Sequence, residues 1–325
     1  MNIHGANPEK LYEYFNIERP KKILDFSTNT NILKVNVEIE NLYSLISNYP
    51  DYECLELRKI ISEYENIHIK NILFTNGINE AIFLLSRIFD YKKTAILQPN
   101  YTEYKRAFKN AIDIFDLNEA RNFDNVIISN PCNPTGIFIY NLYETAREFN
   151  NTNFIIDESY IDFLIKMERE KFTLTKNIII LKSLTKIYKL SGVRIGYVIA
   201  PEEIISDMKN FQPTWSVNAI AQELAKKFLR NKDFYSKTRE FYKNNVPKFM
   251  AALKNNGFEL SDSVVNYFLI RVNNDLEIIK KLLIHGITVR HTRNIAGLNG
   301  KYIRVATRFP EENNFFIKCL REIVI

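Results

Sequence analysis

The polar residues most able to do chemistry follow a short apolar run, 178-IIIL-181, which is typical of a buried strand. Ser183 and Lys186 come directly after this run, and Arg194 follows eight residues after the lysine. A lysine held out of water beside other cations has a lowered pKa, and its neutral amine can form a Schiff base with an aldehyde. A lone lysine after a strand is more often a solvated loop charge. In the reactive case, Ser183 and Arg194 would bind an anion.

A second candidate anion site lies in 75-TNGINEAIFLL-85. Gly77 permits a tight turn, and the amides of Ile78 and Asn79 would open a helix. A helix N-terminus binds phosphate through its exposed N–H groups and its dipole. Taken alone, the segment is equally typical of an ordinary glycine turn with an asparagine cap.

Four further residues are suited to hold a flat, charged ring. Asp157 ends the apolar run before it, and a buried carboxylate is costly unless it faces a cation such as a protonated pyridine nitrogen or a local arginine. Tyr160 and Asn133 could hydrogen-bond a phenolic oxygen, and Tyr101 could stack on a planar ring. Tyrosines and turn asparagines are common in this chain, so each residue is weak evidence alone.

These residues fall at the ends of apolar segments that share one sequence pattern. The segments are β-rich, end in polar residues or proline, and predict buried parallel strands. Helical stretches before and between them, such as 79–89 and 141–149, predict an open α/β sheet, in which ligands bind at the carboxyl ends of the strands. The four segments are 94-TAILQPN-100, 125-NVIISNP-131, 153-NFIIDES-159 and 177-NIIILKS-183.

A smaller lobe is predicted after the sheet. A long helical tract starts near Asn218, and three β-rich segments follow it at 266–273, 287–292 and 301–307. We predict an N-terminal segment over 1–42 that joins the small α+β domain, a large domain over 43–230 and the small C-terminal domain over 231–325.

Composition narrows the classes of protein. The chain of 325 residues has no apolar run near the roughly 20 residues that span a bilayer, and its first residues lack a signal-peptide pattern. Three cysteines without metal or disulfide spacing predict reduced thiols, no metal site and a cytoplasmic location. The net charge of +6 is spread along the chain, which argues against nucleic acid or membrane as partners and favours a small anionic substrate.

Taken in order, three motifs resemble a known enzyme family. They are 130-NPCNPTG-136, the D-x-x-Y of Asp157 and Tyr160, and the S-x-x-K-x₇-R that runs from Ser183. The set is similar to that of the fold-type I enzymes that use pyridoxal 5′-phosphate, the aspartate aminotransferase superfamily. The resemblance implies a PLP-dependent transferase-like fold with a mainly parallel sheet in its large domain.

The resemblance also implies a role for each residue. Lys186 would be the Schiff-base lysine, and Gly192 and Gly196 would let the backbone pass close to the site. The other roles are the phosphate ligands Ser183, Arg194, Gly77, Ile78 and Asn79, the pyridine partner Asp157, the ring-oxygen contacts Asn133 and Tyr160, and the stacking residue Tyr101.

Within the superfamily, the chain resembles the branch that contains histidinol-phosphate aminotransferases and the threonine-phosphate decarboxylases of cobalamin biosynthesis. Several segments look more like the decarboxylases, among them 3-IHGAN-7, 25-DFSTNTN-31, 99-PNYTEYKRA-107, 212-QPTWSVNA-219 and 301-KYIRVATR-308. One departure is the third residue of the usual His-Gly-Gly, because an alanine follows Gly5 in this chain.

The substrate residues are also implied by this branch. Arg304, with Asn29 beside it, would bind a carboxylate, and Arg290 would bind a phosphate together with His4 and Gly5. Guanidinium groups recognise both anions with paired hydrogen bonds. An arginine on a strand of a small lobe can equally lie at an exposed edge.

The resemblance implies a homodimer with shared active sites, because Tyr49 matches a tyrosine that reaches the cofactor phosphate of a neighbouring subunit. The leading expectation is a carbon–carbon lyase that decarboxylates L-threonine O-3-phosphate to (R)-1-aminopropan-2-yl phosphate. The alternative is an aminotransferase of the histidinol-phosphate type. A catalytically silent PLP-binding protein is a third possibility, against which the intact Lys186 argues.

Overall fold

A computed structural model describes residue 5 and residues 7–34, 37–166, 168 and 172–324. His4 and Ala6 lie outside the described residues. The helices are α1 (Pro8–Phe15), α2 (Leu42–Ser47), α3 (Leu55–Glu65), α4 (Gly77–Ile88), α5 (Thr102–Ala107), α6 (Leu142–Glu148), α7 (Leu184–Ile187), α8 (Glu202–Phe211), α9 (Ala219–Arg230), α10 (Lys232–Asn255), α11 (Asp275–Ile284) and α12 (Pro310–Val324). The strands are β1 (Leu24–Asp25), β2 (Ile72–Thr75), β3 (Thr94–Leu97), β4 (Ile112–Ile114), β5 (Asn125–Ser129), β6 (Asn153–Asp157), β7 (Ile178–Ser183), β8 (Gly196–Ile199), β9 (Tyr267–Arg271), β10 (Ile287–Thr288), β11 (Arg290–His291) and β12 (Tyr302–Ala306).

The large sheet has seven strands in the order β2-β8-β7-β6-β5-β3-β4. The four strands predicted from the sequence, β3, β5, β6 and β7, are mutually parallel, which confirms the α/β class with a mainly parallel sheet. Only β8 runs against both of its neighbours. Side chains alternate between the two faces: Ile155 packs on the layer that contains α4 and α8, whereas Phe154 and Ile156 pack on the opposite core.

The segment between β7 and β8 is closed at its base by a strand pair. Ser183 at the end of β7 lies opposite Gly196 at the start of β8, so the residues between them form one connecting segment at the carboxyl end of β7. A Cβ atom at Gly196 would lie 2.7 Å from the Lys182 carbonyl oxygen and 2.8 Å from Ile78 Cδ1, which explains this glycine. At Gly192, by contrast, no described atom outside its chain neighbours lies within 4 Å of the Cβ position, so packing between described residues does not require this glycine.

Two small sheets follow the large one. Strands β11, β12 and β9 form an antiparallel sheet, and β1 pairs in parallel with β10. The predicted β-rich segment 287–292 divides at Val289 into two short strands that belong to different sheets. The pair of Leu24 with Ile287 ties the N-terminal segment to the C-terminal part of the chain. The domain boundaries at 42/43 and 230/231 stay a prediction.

No helix in the described ranges combines the length and the apolar character that crossing a membrane requires.

Candidate active site

A cavity of about 600 Å³ lies at the carboxyl ends of the central strands. It collects residues that are far apart in the sequence, from the N-terminal segment to β12. Fourteen of the residues singled out in the sequence line it: Gly5, Asn29, Ile78, Asn79, Tyr101, Asn133, Asp157, Tyr160, Ser183, Lys186, Gly192, Arg194, Arg290 and Arg304.

Lys186 lies in α7, the short helix that follows β7. Its Nζ faces the ring of Tyr160 at 5.8 Å from the centroid and makes no hydrogen bond or ion pair with the described residues. Burial, assisted by the charges of Arg304 and Arg194, lowers the pKa of Lys186 to about 8, and Asp157 opposes the shift. The side chain is therefore a largely free amine at mildly alkaline pH.

Asp157 is a buried carboxylate at the end of β6, and two donors fix its orientation. The Tyr104 hydroxyl donates to Oδ2 at 2.6 Å, and the Ser159 backbone N–H donates to Oδ1 at 2.8 Å. Burial raises the pKa of Asp157, while these hydrogen bonds and the charge of Lys186 act in the opposite direction. A carboxylate held in this way is suited to face a buried cation.

Sequence reasoning missed Tyr104. It follows Tyr101 by three residues in α5, and the two rings meet edge to face with centroids 5.7 Å apart. Nothing in the sequence distinguishes it among 18 tyrosines, because its function depends on the distant Asp157.

One end of the cavity is built for an anion. Gly77 begins α4 with φ +71°, and a Cβ atom there would lie 2.5 Å from Arg194 Nη2, so the guanidinium closes over the helix N-terminus. Arg194 Nη1 donates to the Ser191 carbonyl at 3.0 Å, which holds the side chain. The hydroxyls of Ser183 and Thr185 lie 2.7 Å apart nearby. A helix N-terminus, a guanidinium and hydroxyl groups together suit a phosphate.

The ring-binding candidates lie between the anion end and the arginines of the small sheet. Tyr101 donates from its hydroxyl to Asn79 Oδ1 at 3.3 Å. Tyr160 packs edge to face on Tyr267, with centroids 4.8 Å apart. Asn133 Oδ1 accepts a hydrogen bond from Arg304, which leaves its side-chain NH₂ as a donor toward the cavity.

Arg304 projects from β12 into the other end of the cavity. Its Nη1 donates to Asn133 Oδ1 at 2.7 Å and its Nη2 to the Ser27 carbonyl at 2.8 Å. Gly5 lies against this pair, since a Cβ atom would be 2.7 Å from the Ser27 oxygen. The Nε of Arg304 and the Nδ2 of Asn29 are buried without a partner in the described structure. A ligand oxygen in the cavity that both residues line would satisfy such donors.

The loop that supplies the Ser27 carbonyl is organised by Asp25, which sequence reasoning also missed. Its carboxylate accepts hydrogen bonds from the Ser27 backbone N–H at 2.9 Å, the Thr28 hydroxyl at 2.5 Å and the Thr288 hydroxyl at 2.8 Å. The resemblance of the segment 25-DFSTNTN-31 to the decarboxylases pointed to this loop. The sequence does not show which of its side chains accept hydrogen bonds from the loop itself.

Arg290 lies directly opposite Arg304 in the β11–β12 pair. Both side chains are buried, and the ion pairs of the described residues include neither. Burial, then the charge of Arg304, lowers the pKa of Arg290 to about 9. Two buried like charges that make no ion pair with the described residues would be stabilised by an anionic ligand.

Tyr49 does not reach the cavity of its own chain. It is 81% exposed and packs on Trp215, with ring centroids 4.5 Å apart. His4 lies outside the described residues, and only its neighbour Gly5 is placed at the site.

The family model for aminotransferase class I and II matches residues 113–314, well over half of the chain. The chain belongs to this family. Pyridoxal phosphate is therefore the cofactor, and the cavity fits it: a phosphate-sized anion site, a free amine and a buried carboxylate lie around one space.

Related proteins carry two kinds of name. The chain is 31% identical to the adenosylcobalamin biosynthesis bifunctional protein CobDQ of Leptospira interrogans over 99% of its own length, although it spans only 41% of that protein. It is 28% identical to the threonine-phosphate decarboxylase of Salmonella typhimurium, with 99% of the chain and 97% of the relative covered. It is also 28% identical to the histidinol-phosphate aminotransferase of Methanococcus aeolicus, with 99% and 95% covered.

Solved structures confirm the fold. The L-threonine-O-3-phosphate decarboxylase from Porphyromonas gingivalis superposes with a TM-score of 0.81 at 25% identity, covering 98% of this chain and 95% of that one. The histidinol-phosphate aminotransferase from Sinorhizobium meliloti, solved in complex with pyridoxal-5′-phosphate, gives 0.80 at 19% identity, with 98% and 94% covered.

Proposed function

We propose that the chain decarboxylates L-threonine O-3-phosphate to (R)-1-aminopropan-2-yl phosphate, as a PLP-dependent carbon–carbon lyase of cobalamin biosynthesis. The observation that carries the proposal is the pair of buried, uncompensated guanidinium groups of Arg290 and Arg304 beyond Lys186. A substrate with both a carboxylate and a phosphate supplies the two anions that this pair requires.

Nine residues would hold the cofactor at the inner end of the cavity. When bound, the cofactor withdraws electrons from the substrate Cα. Lys186 provides the amine that attaches it, and Asp157, oriented by Tyr104, stabilises a proton on the ring nitrogen. The remaining contacts are Arg194, Ser183 and the amides of Ile78 and Asn79 at the phosphate, Asn133 and Tyr160 at the ring oxygen, and Tyr101 on the ring face.

Two arginines would hold the substrate at the outer end. Arg304, fixed by Asn133 and the Ser27 carbonyl, binds the carboxylate together with the unpaired amide of Asn29. Arg290 binds the phosphate, and the family resemblance assigns Gly5 and His4, the latter outside the described residues, to the same phosphate. By fixing the carboxylate and the phosphate, these contacts would set the orientation of the bonds at the substrate Cα and so decide the reaction.

The second candidate is transamination of the histidinol-phosphate type. It is favoured by the aminotransferase relatives and by Lys186, whose amine is unprotonated at mildly alkaline pH and could move a proton at the substrate Cα. The residues that bind the cofactor serve both reactions equally.

A direct assay separates the two. The purified protein with PLP is given O-phospho-L-threonine without a keto acid, and histidinol phosphate with 2-oxoglutarate, and released CO₂ and glutamate are measured. We expect CO₂ from the first substrate. Glutamate formation without CO₂ would replace the proposal with the aminotransferase.

We also propose a homodimer, located in the cytoplasm, in which Tyr49 reaches the cofactor phosphate of the partner subunit. Helix α2 has no buried residue, and an apolar surface runs from it toward Tyr49 and Trp215. An exposed apolar surface of this kind is typical of a protein interface. Its exposed members are Leu42, Tyr43, Ile46, Tyr49, Tyr52, Leu55 and Trp215.

A further inference from the structure

The charge of Arg290 is left uncompensated by the residues that hold its side chain. Nη1 donates to the His291 carbonyl at 2.7 Å, and Nη2 donates to Asn294 Oδ1 at 3.0 Å. Both acceptors are neutral. A guanidinium has five N–H donors, so three make no hydrogen bond with the described residues, and Arg290 lines the cavity.

The carboxylate that acts most directly on Arg290 is bound by other groups. Asp275 is fully buried, and its Oδ1 accepts from Arg293 Nη2 at 3.0 Å and from Nε at 3.2 Å. Its Oδ2 accepts from the Thr292 backbone N–H at 3.0 Å. Because Arg293 already pairs with Asp275, the charge of Arg290 remains available.

We propose that Asn294 is a positioning residue that makes the site selective for a phosphorylated substrate, because its amide oxygen orients Arg290 without neutralising it. An aspartate at this position would form a charge-assisted pair with the guanidinium and repel a phosphate. A residue without an acceptor would leave the side chain of Arg290 free to change rotamer. The proposal rests on the proposed function only in requiring a phosphate at Arg290, which both candidate reactions share.

The test compares Asn294→Asp and Asn294→Gln with Asn299→Asp as a matched control. Asn299 is exposed on the same loop and does not line the cavity, so its substitution adds the same charge outside the site. For CO₂ release by the PLP-loaded enzyme, we expect Asn294→Asp to raise KM for O-phospho-L-threonine about 30-fold or more. This is the loss in affinity expected when the charge of Arg290 no longer attracts the substrate phosphate. Its kcat, and any activity on plain L-threonine, should stay close to wild type. Asn294→Gln, which keeps the amide oxygen, should recover most of the affinity, and Asn299→Asp should match wild type.

A second measurement does not depend on which reaction is catalysed. Inorganic phosphate is titrated into the PLP-loaded wild type and variants by calorimetry, and Asn294→Asp should bind it at least about tenfold more weakly than Asn299→Asp. A wild type that turns over no phosphorylated amino acid would defeat the proposed function, while the phosphate titration would still decide the role of Asn294.

Two results would overturn the positioning role. One is a KM and a phosphate affinity in Asn294→Asp that equal those of the control. The other is an equal loss on L-threonine and its phosphate, because that pattern indicates a structural residue. If Asn294→Asp does not fold, Asn294→Ala replaces it, with a KM increase of about three- to tenfold at unchanged kcat expected for a lost neutral hydrogen bond.

Discussion

At the scale of single residues, the site contains buried charges, and the free-energy cost of burying them is offset only when ligands are bound. Arg290 and Arg304 are buried without carboxylate partners, and Asp157 is a buried carboxylate whose partners are a tyrosine and a backbone amide. Each arrangement would be unfavourable in an empty cavity and favourable around a cofactor cation and two substrate anions. The sequence could not show this, because the neutral partners of these charges come from distant segments.

The two arginines are predicted to differ in substrate dependence. Arg290→Ala should lower kcat/KM for the phosphorylated amino acid by about 2 to 4 kcal/mol, roughly 30- to 1000-fold, because a charge-assisted contact is lost. Residual activity on plain threonine should hardly change. Arg304→Ala should reduce both activities, since both substrates carry the carboxylate. Steady-state kinetics of the two variants on the two substrates checks this, and equal losses for Arg290→Ala on both would assign it to the fold or the cofactor.

The Lys186 amine predicts a pH dependence. Because burial and two arginines lower the pKa of Lys186 to about 8, the reactive neutral amine should be lost as the pH falls below that value. The rate at which the apoenzyme takes up PLP, followed by absorbance, should therefore rise through about pH 8 and level off above it. Lys186→Ala is the control and should show no covalent uptake. A midpoint near the ordinary lysine pKa of 10.5 would contradict the electrostatic account.

At the scale of elements, sequence patterns predicted the strands that can be recognised from a local run of apolar residues. The strands β3, β5, β6 and β7 were predicted because each is a continuous apolar run between polar ends. The division of 287–292 was not predicted, because two residues of one β-rich segment pair with β1 and two with β12. Partner choice of this kind is set by tertiary contacts, which periodicity does not report.

The start of α4 gives a prediction at this scale. Gly77→Ala adds a Cβ where φ is +71° and where Arg194 Nη2 lies 2.5 Å away, so it should strain the turn and displace the guanidinium. We expect the free energy of unfolding to fall by about 1 kcal/mol from the left-handed backbone, and PLP to bind about tenfold more weakly. Urea unfolding and a PLP titration measure the two effects.

Gly257→Ala is the matched control for Gly77→Ala. Gly257 has φ +84° and no described atom within 4 Å of its Cβ position, so its substitution adds the backbone strain without touching the site. It should lose similar stability and keep wild-type PLP affinity. Equal weakening of PLP binding in both variants would show that α4 has no specific part in holding the cofactor.

At the scale of the whole molecule, the described residues of one chain build most of a site but leave Tyr49 outside it. Tyr49 is exposed on an apolar surface, whereas the other predicted cofactor residues apart from Gly77 line the cavity. The sequence motif identified Tyr49 only through the family resemblance, because a contact between subunits leaves no periodic signal in one chain. A symmetric dimer that buries the surface around α2 would bring each Tyr49 toward the partner's site.

Hybrid dimers test this arrangement. If Tyr49 acts across the interface, a dimer of one Tyr49→Ala subunit and one Lys186→Ala subunit contains one site with both defects and one with neither. At a PLP concentration that saturates wild type but not Tyr49→Ala, differently tagged and co-purified hybrids should recover about half of the wild-type activity, because the sites of a C2 dimer are equivalent. Both parent homodimers should be nearly inactive under these conditions. Tyr91→Ala removes an equally exposed tyrosine and should leave PLP affinity unchanged. If Tyr49 acted within its own chain, the hybrid would contain no intact site, so activity no higher than that of the parents, or a fully active monomer in sedimentation, would exclude the shared site.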